Sequence, residues 1–443
     1  MTTYKKTKDM LDKISPSMCL AKWQQVGIHL HNGQTHSCHH PNTHTIPEAE
    51  LKHNPSALHN TEYKKQQRKM MLEGKRPPEC EYCWRVEDAP GNNYSDRVLK
   101  SAQGWANKYY DKVLKDGYTA NTSPTAVELL VGNTCNFRCL YCGPALSSTW
   151  RAYIKQYGDV ELESTKWDNN SKMPIPKSQH NPYVEALWKW LPQIYGGLHV
   201  LKITGGEPTM MKETYDILSL VHKFRNTRLG LHVNSNLCPP DDLFKKFLEH
   251  ICEITDKNVN KLVINASCDT VAPYVEYTRK GINFETYKKN AELILRHSKN
   301  AELNIMSTFN IMTIPGFDKF IDWVHDMNYK YSHGDHLRVR LDTETVINPK
   351  CMSVMILPEK YKMEIKRLHD YALGKICMDS QGYKSFESIQ NLVNSIDNQE
   401  ELKMYQRDFA KFIWRNDQSQ QQTFEDIFPD DLVEFYKYCS ELE

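Results

Sequence analysis

The chain has 443 residues, enough for one large domain or two to three ordinary ones. Apolar residues make up 40% and charged residues 25%, a soluble globular composition, and 56 basic against 55 acidic residues leave a net charge of +1. That balance excludes a whole-chain field for steering onto nucleic acid or an anionic membrane.

The opening stretch MTTYKKTKDMLDKI has lysines with no apolar run behind them, so no secretory signal is expected there. No stretch of about 18 uninterrupted apolar residues predicts a membrane span. Thirteen cysteines, in a chain expected to stay in the reducing cytoplasm, point to metal binding or catalysis before disulfides.

Residues 1 to 90 are rich in His, Pro, Asn and Cys and show little periodicity before the helical stretch TEYKKQQRKMMLEGK. Such texture predicts a small module without a large apolar core, held together by a metal. Cys19, Cys38, Cys80 and Cys83 are its candidate ligands; four thiolates can complete a tetrahedral zinc site or fully ligate an iron–sulfur cluster. CLAKWQQVGIHLHNGQTHSC reads as a β-hairpin turning at His31-Asn32-Gly33. The eight histidines between His29 and His59 are read as loop and packing residues.

Residues 91–124 read as a connector with one helix. From Ala126 short β-rich runs alternate with helical stretches. Strands are predicted at 126–132, 199–204, 229–234, 261–267, 302–309 and 337–341, with helices such as KETYDILSLVHKF, DDLFKKFLEHICEI and FETYKKNAELILRH between them. This alternation predicts parallel strands with crossover helices, as a doubly wound sheet or an incomplete barrel over residues 125–345. A polar segment at 150–183, with Asp-Asn-Asn-Ser and Pro-Ile-Pro, reads as an insertion covering a ligand face. Residues 346–443 are expected to be a helical extension.

The loop after the first of these strands reads TCNFRCLYCGP and places Cys135, Cys139 and Cys142 within eight positions. Ligands gather at the carboxyl ends of parallel strands, and closely spaced thiolates select zinc or an iron–sulfur cluster. Three ligands leave one corner of a cubane [4Fe–4S] cluster free. The second strand ends in Thr204-Gly205-Gly206-Glu207-Pro208, where two glycines admit close backbone approach and a carboxylate can pair with an ammonium. Asn234-Ser235-Asn236 closes the third strand. Ser267-Cys268-Asp269 closes the fourth, followed by Arg279-Lys-Gly281, and Thr308-Phe-Asn310 closes the fifth. Cys268 is read as packing, and Cys252 and Cys439 as core.

Cys135-x3-Cys139-x2-Cys142, with Tyr141 before the last cysteine, resembles the signature of radical S-adenosylmethionine (SAM) enzymes, and Gly205-Gly206-Glu207-Pro208 resembles their GGEP motif. The resemblance implies a partial (β/α)6 TIM-type barrel. It implies a [4Fe–4S] cluster on Cys135, Cys139 and Cys142, with its fourth iron chelated by SAM. SAM would be seated by Gly205, Gly206 and Glu207, with Asn234, Ser235 and Ser267 as further contacts. The activity implied is reductive cleavage of SAM to methionine and a 5′-deoxyadenosyl radical that abstracts hydrogen from a substrate.

The first zone, with Gly33-x4-Cys38 and the run from Gly74 to Cys83, resembles the SPASM/Twitch modules of the same enzymes. This implies one auxiliary [4Fe–4S] cluster on Cys19, Cys38, Cys80 and Cys83, with zinc as the alternative occupant. The substrate implied is a peptide or protein side chain. A small sugar or cyclitol alcohol is the second reading, and an electron donor such as flavodoxin or ferredoxin is the implied partner. Cys351, after the sixth strand, is a candidate hydrogen donor or acid, or else a buried spectator. A reading of another class is a zinc-stapled, non-catalytic binding protein.

Overall fold

The computed structural model describes residues 3–91, 93–167, 173–176, 178–332 and 336–442; the Asp-Asn-Asn-Ser stretch at 168–171 lies outside them. Among the described residues thirteen strands are found: β1 Gln25–His29, β2 Gln34–His36, β3 His44–Thr45, β4 Ala126–Leu130, β5 Arg138–Cys139, β6 Val160–Glu161, β7 Lys166–Trp167, β8 Val200–Thr204, β9 Asn226–Ser235, β10 Val259–Ser267, β11 Arg279–Lys280, β12 Ala301–Phe309 and β13 Val339–Thr345.

The main sheet has the order β13-β12-β10-β9-β8-β4-β1-β2-β3. Its six predicted strands, β4 to β13, are parallel and lie in simple chain order. A doubly wound sheet reverses its order partway. Sequential order with right-handed crossovers puts every helix on one face and curls the other into a lumen. The fold is therefore a mixed α/β one with a parallel central sheet of the partial TIM-barrel type, followed by the helices Lys360–Leu373, Ser380–Ile389, Gln399–Asp417 and Asp430–Ser440. Among the described residues no helix is long and apolar enough to cross a membrane.

Strand alternation divides the two faces. Leu201, Ile203, Leu231, Val233, Leu262, Ile264, Leu303 and Ile305 are wholly buried under the helices. Their neighbours face the lumen, and most of them are polar. Register aligns Glu128, Lys202, His232, Val263 and Glu302 in one layer, and Asn234, Asn265, Asn304 and Arg340 in the next. Apolar side chains normally fill such a barrel. Here the lumen holds carboxylates, amides and cations, so it is built as a site.

The predicted hairpin is present as β1 and β2, but it is not set apart from the barrel. β1 pairs parallel with β4 from Gln25 against Ala126 to His29 against Leu130, adding a seventh parallel strand. The His36 ring of β2 packs over Gly27, in the space a Cβ would take.

The segment expected as a polar insertion opens instead with the helix Ser148–Tyr157. Its Trp150, Tyr153 and Ile154 are buried together, a spacing of three and four residues that places them on one helix face.

Candidate active site at the carboxyl ends of the strands

The cysteine loop leaves β4 and is held from three sides. The helix at Ser148–Tyr157 holds it first. Ser148 Oγ accepts from the Cys135 N–H at 3.0 Å and donates to the Cys135 carbonyl at 3.1 Å; Thr149 Oγ1 donates to the same carbonyl at 2.6 Å and Trp150 Nε1 to that of Cys139 at 2.8 Å.

The Gly-Gly turn after β8 holds it second. The Gly206 N–H donates to the Gly132 carbonyl at 2.9 Å and the Glu207 N–H to that of Thr134 at 2.7 Å. Gly205 has φ +136°, and a Cβ there would lie 2.5 Å from the Gly132 carbonyl; one on Gly206 would run into the Thr134 carbonyl. Both glycines are thus explained by close approach to the cysteine loop itself.

The third support is the Arg279-x-Gly281 segment. β11 pairs antiparallel with β5, setting Arg279 against Cys139. Gly281, at φ +114°, lies where a Cβ would meet the Asn136 carbonyl at 2.8 Å. Tyr141 donates from its hydroxyl to Asp269 Oδ2 at 2.8 Å.

Burial raises all three loop thiols, that of Cys135 up to about 12, while the Phe137 N–H and the Arg279 charge pull it back. Cys139 feels the charges of both Cys135 and Cys142. Thiols this desolvated become thiolates when a metal takes the proton's place, and Arg279 is placed to offset the charge. The three side chains, converging at a strand-end face beside a cation, fit the cluster expected for them.

Glu207 is buried, and its carboxylate is largely engaged. It accepts from Ser235 Oγ at 2.9 Å, the Asn236 N–H at 2.7 Å, Thr209 Oγ1 at 2.7 Å and the Thr209 N–H at 3.2 Å. Burial raises it and these donors lower it. Its visible work is to tie the end of β8 to that of β9. Ser235 serves the same tie from the helix-facing side, whereas Asn234 and Ser267 stand on the lumen face. Asn234 accepts from Asn265 Nδ2 at 2.8 Å.

A cavity of about 690 Å³ opens beside the cysteine loop, lined by His31, Asn133, Thr134, Ile175, Val184 and Met211 among others. A second, of about 380 Å³, lies in the lumen against His232, Asn265, Asn304, Arg340, Asp342 and Glu344. Cys351 is fully buried, and burial beside Asp408 pushes its thiol far up. Cys268 and Cys439 are buried as expected, while Cys252 is only half-buried.

Cys19, Cys38, Cys80 and Cys83 converge on one small pocket with Lys22, Met71, Trp84, Arg97 and Lys100. Cys80 and Cys83 each feel the charge of Cys19 and Cys38, and burial raises the two to about 12 and 11. Cys19 precedes β1 and Cys38 follows the antiparallel β2, so this set lies at the amino end of the strands. The cysteine loop lies at the carboxyl end of β4, and the five residues of β1 or β4 between the two ends span roughly 17 Å.

Contacts from the C-terminal helices were not foreseeable from local spacing. Arg138 Nη2 donates to Asn416 Oδ1 at 2.8 Å and the Tyr277 hydroxyl to Asp417 Oδ1 at 2.6 Å, so the helix Gln399–Asp417 clamps the loop from outside.

No curated protein matches the chain. Among solved structures, the chain is similar to native anSMEcpe with bound AdoMet and Cp18Cys peptide, at 17% identity and TM-score 0.34 over 56% of this chain and 58% of that one. It thus spans less than two thirds of that protein's length. It is also similar to Streptococcus suis SuiB bound to precursor peptide SuiA, at 14% identity and TM-score 0.38 over 87% and 77%. For SuiB in a second structure the values are 14%, 0.39, 88% and 77%. Residues 129–320, which carry the cysteine loop, the Gly-Gly turn and the Asp269–Arg279 pair, match the model of the radical SAM superfamily and form a domain of that superfamily, whose members bind a [4Fe–4S] cluster and SAM.

Proposed function

We propose that this chain is a radical SAM enzyme that modifies a peptide or protein side chain, with Cys135, Cys139 and Cys142 holding the catalytic cluster and an auxiliary cluster on Cys19, Cys38, Cys80 and Cys83. The observation that carries the reading is the bracing of one three-cysteine loop by both the Gly-Gly turn and Arg279, at the mouth of a polar lumen. When bound, the cluster and SAM supply one-electron cleavage of SAM and a radical able to take hydrogen from a substrate. The chain's own residues supply position: Gly205 and Gly206 let the β8 turn reach the loop, Glu207 and Ser235 hold that turn, and Asn234 and Ser267 face the ligand side.

The cavity beside the loop, at about 690 Å³, is of a size to take a short peptide segment, which supports that substrate class. The carboxylates and amides of the lumen favour a second reading, oxidation of a sugar or cyclitol alcohol. A single zinc ion at the four front cysteines is less well supported. Tetrahedral Zn–S bonds of about 2.3 Å require sulfurs roughly 3.8 Å apart. Among the described residues, the one set of three or more His, Cys, Asp or Glu ligand atoms all within 4.8 Å of one another is His39, His40 and Asp96. No three of the four front sulfurs are all that close to one another. The reading places the chain in a reducing, cytoplasmic setting, with a flavodoxin or ferredoxin as electron donor.

The test is anaerobic purification followed by iron analysis and electron paramagnetic resonance with and without SAM. The expected result is roughly eight irons per chain and a cluster signal perturbed by SAM. Cys139→Ala abolishes SAM cleavage and removes about half the iron. Cys80→Ala keeps SAM cleavage but stops product formation. A colourless, zinc-loaded chain indifferent to SAM would replace this reading with the binding-protein one.

A further inference from the structure

Lys22 is 2% exposed, on the short helix Ala21–Gln24, three residues after Cys19 and three before β1 begins, and it lines the pocket of the four front cysteines. Its partner is Glu79, on the residue before Cys80, with the Glu79 side chain 8% exposed. Burying a lysine and a glutamate this deeply costs more than the pair returns unless further charge or hydrogen bonding is present. Arg97 also lines the pocket, but it is committed elsewhere: Nε and Nη2 donate to Glu87 at 2.8 and 3.0 Å, and Nη1 to the Met18 carbonyl at 3.0 Å and to Asp12 at 3.2 Å. Lys100 is held by His39 Nδ1 at 2.9 Å and lies 3.4 Å from Asp96. Lys22 is a fully buried cation of this pocket with the single carboxylate partner Glu79, and it feels the charges of Cys80 and Cys38.

The location argues for the same thing. Lys22 follows Cys19 by three residues and Glu79 precedes Cys80 by one, so the ion pair ties together two of the chain segments that deliver ligands to the pocket. The pair is therefore fixed by the same backbone that fixes the thiols. A charge so placed acts on whatever charge the thiols carry, through a medium of low dielectric response.

We propose that Lys22 is a positioning residue that sets the reduction potential of the metal centre on Cys19, Cys38, Cys80 and Cys83, with Glu79 as the counter-charge that moderates it. The inference rests on the reading that these cysteines hold an iron–sulfur cluster. Adding an electron makes such a centre more negative, and a fixed ammonium beside it stabilises that state, so Lys22 raises the potential and Glu79 lowers it. This gives the site the character of an electron acceptor.

The experiment uses the full-length chain carrying Cys139→Ala, so that the front centre is observed alone, in a potentiometric titration followed by electron paramagnetic resonance. Lys22→Met is expected to shift the midpoint downward and Glu79→Gln to shift it upward, with iron content kept. Opposite signs from two neutralising substitutions cannot come from a general loosening of the fold. Retained iron with midpoints unmoved in both variants overturns the role of Lys22. Absence of iron from the Cys139→Ala chain overturns the cluster reading beneath it, a distinct outcome. Should Lys22→Met lose its iron, Glu79→Gln alone decides: an upward shift supports the proposal, and no shift or a downward one rejects it.

Discussion

Arg279 donates from Nη2 to Asp269 Oδ1 at 2.8 Å while its Nη1 stands 4.0 Å from Cys139 Sγ. Asp269 is wholly buried and Arg279 nearly so. The same carboxylate accepts from the Tyr141 hydroxyl at 2.8 Å and the Thr308 N–H at 3.0 Å. One aspartate therefore aims the cation at the cluster loop and joins the ends of β10 and β12 to it.

Removing that cation strands a buried carboxylate. Arg279→Gln is expected to cost about 3–5 kcal/mol in urea unfolding followed by circular dichroism. Iron bound at the three-cysteine loop should fall with it. Wild-type stability in this variant would show that Asp269 is satisfied without its partner.

The Gly-Gly turn makes a steric prediction with an internal control. Gly206→Ala forces a methyl against the Thr134 carbonyl and should lower SAM affinity, measured by calorimetry, while the helical signal is unchanged. Gly196→Ala has nothing within 4 Å of the added carbon and should bind SAM as the parent does. Equal affinities in the two variants would remove the argument that the turn must touch the cysteine loop.

Asp408, wholly buried on the helix Gln399–Asp417, accepts from the Glu163 N–H at 2.7 Å, the Ser164 N–H at 2.9 Å and Ser164 Oγ at 2.5 Å. Asp408→Ala leaves these donors without their acceptor, at about 1–3 kcal/mol for an unsatisfied buried group. Hydrogen exchange should speed up in the β6–β7 hairpin first. Protection unchanged at residues 160–167 would mean the hairpin is held by other contacts, such as Trp167 against Phe412.

Stability should depend on pH through His232. Burial, with the charges of Lys202, Lys261 and Arg340 around it, lowers this imidazole to about 4 from an ordinary 6.5. Between those values the unfolded chain takes a proton that the folded chain refuses, so stability is full above pH 6.5 and is lost as pH falls toward 4. Wild type should therefore lose stability relative to His232→Gln from pH 7 to pH 4, by up to roughly 3 kcal/mol. A constant difference across that range would place His232 in contact with solvent.

Much of this was legible in the chain itself. The six parallel strands lie within a few residues of their predicted places because each is a short β-rich run that ends at a polar or glycine-bearing turn before a helical stretch. The Gly-Gly and Arg-x-Gly patterns marked real constraints, although the constraint proved to be backbone meeting backbone. The helix at Ser148–Tyr157 carries three buried residues at helical spacing among polar ones, too weak a pattern to stand out in the sequence. Lys22 gave no signal at all: a lysine in CLAKWQQ reads as surface.

What the linear order of residues determined is the chemistry on offer: three thiols closely set after a strand, two glycines and a carboxylate after the next, four thiols in front. Short-range spacing and strand periodicity encode these, since each depends on residues within one turn or one strand. What only the folded chain decided is which charges meet which thiols. Arg279 reaches Cys139, Asn416 reaches Arg138 and Glu79 reaches Lys22 across 57 to 278 positions of sequence. Such pairings follow from sheet order and helix packing, where hundreds of weak apolar contacts, rather than the paired groups themselves, set the distances.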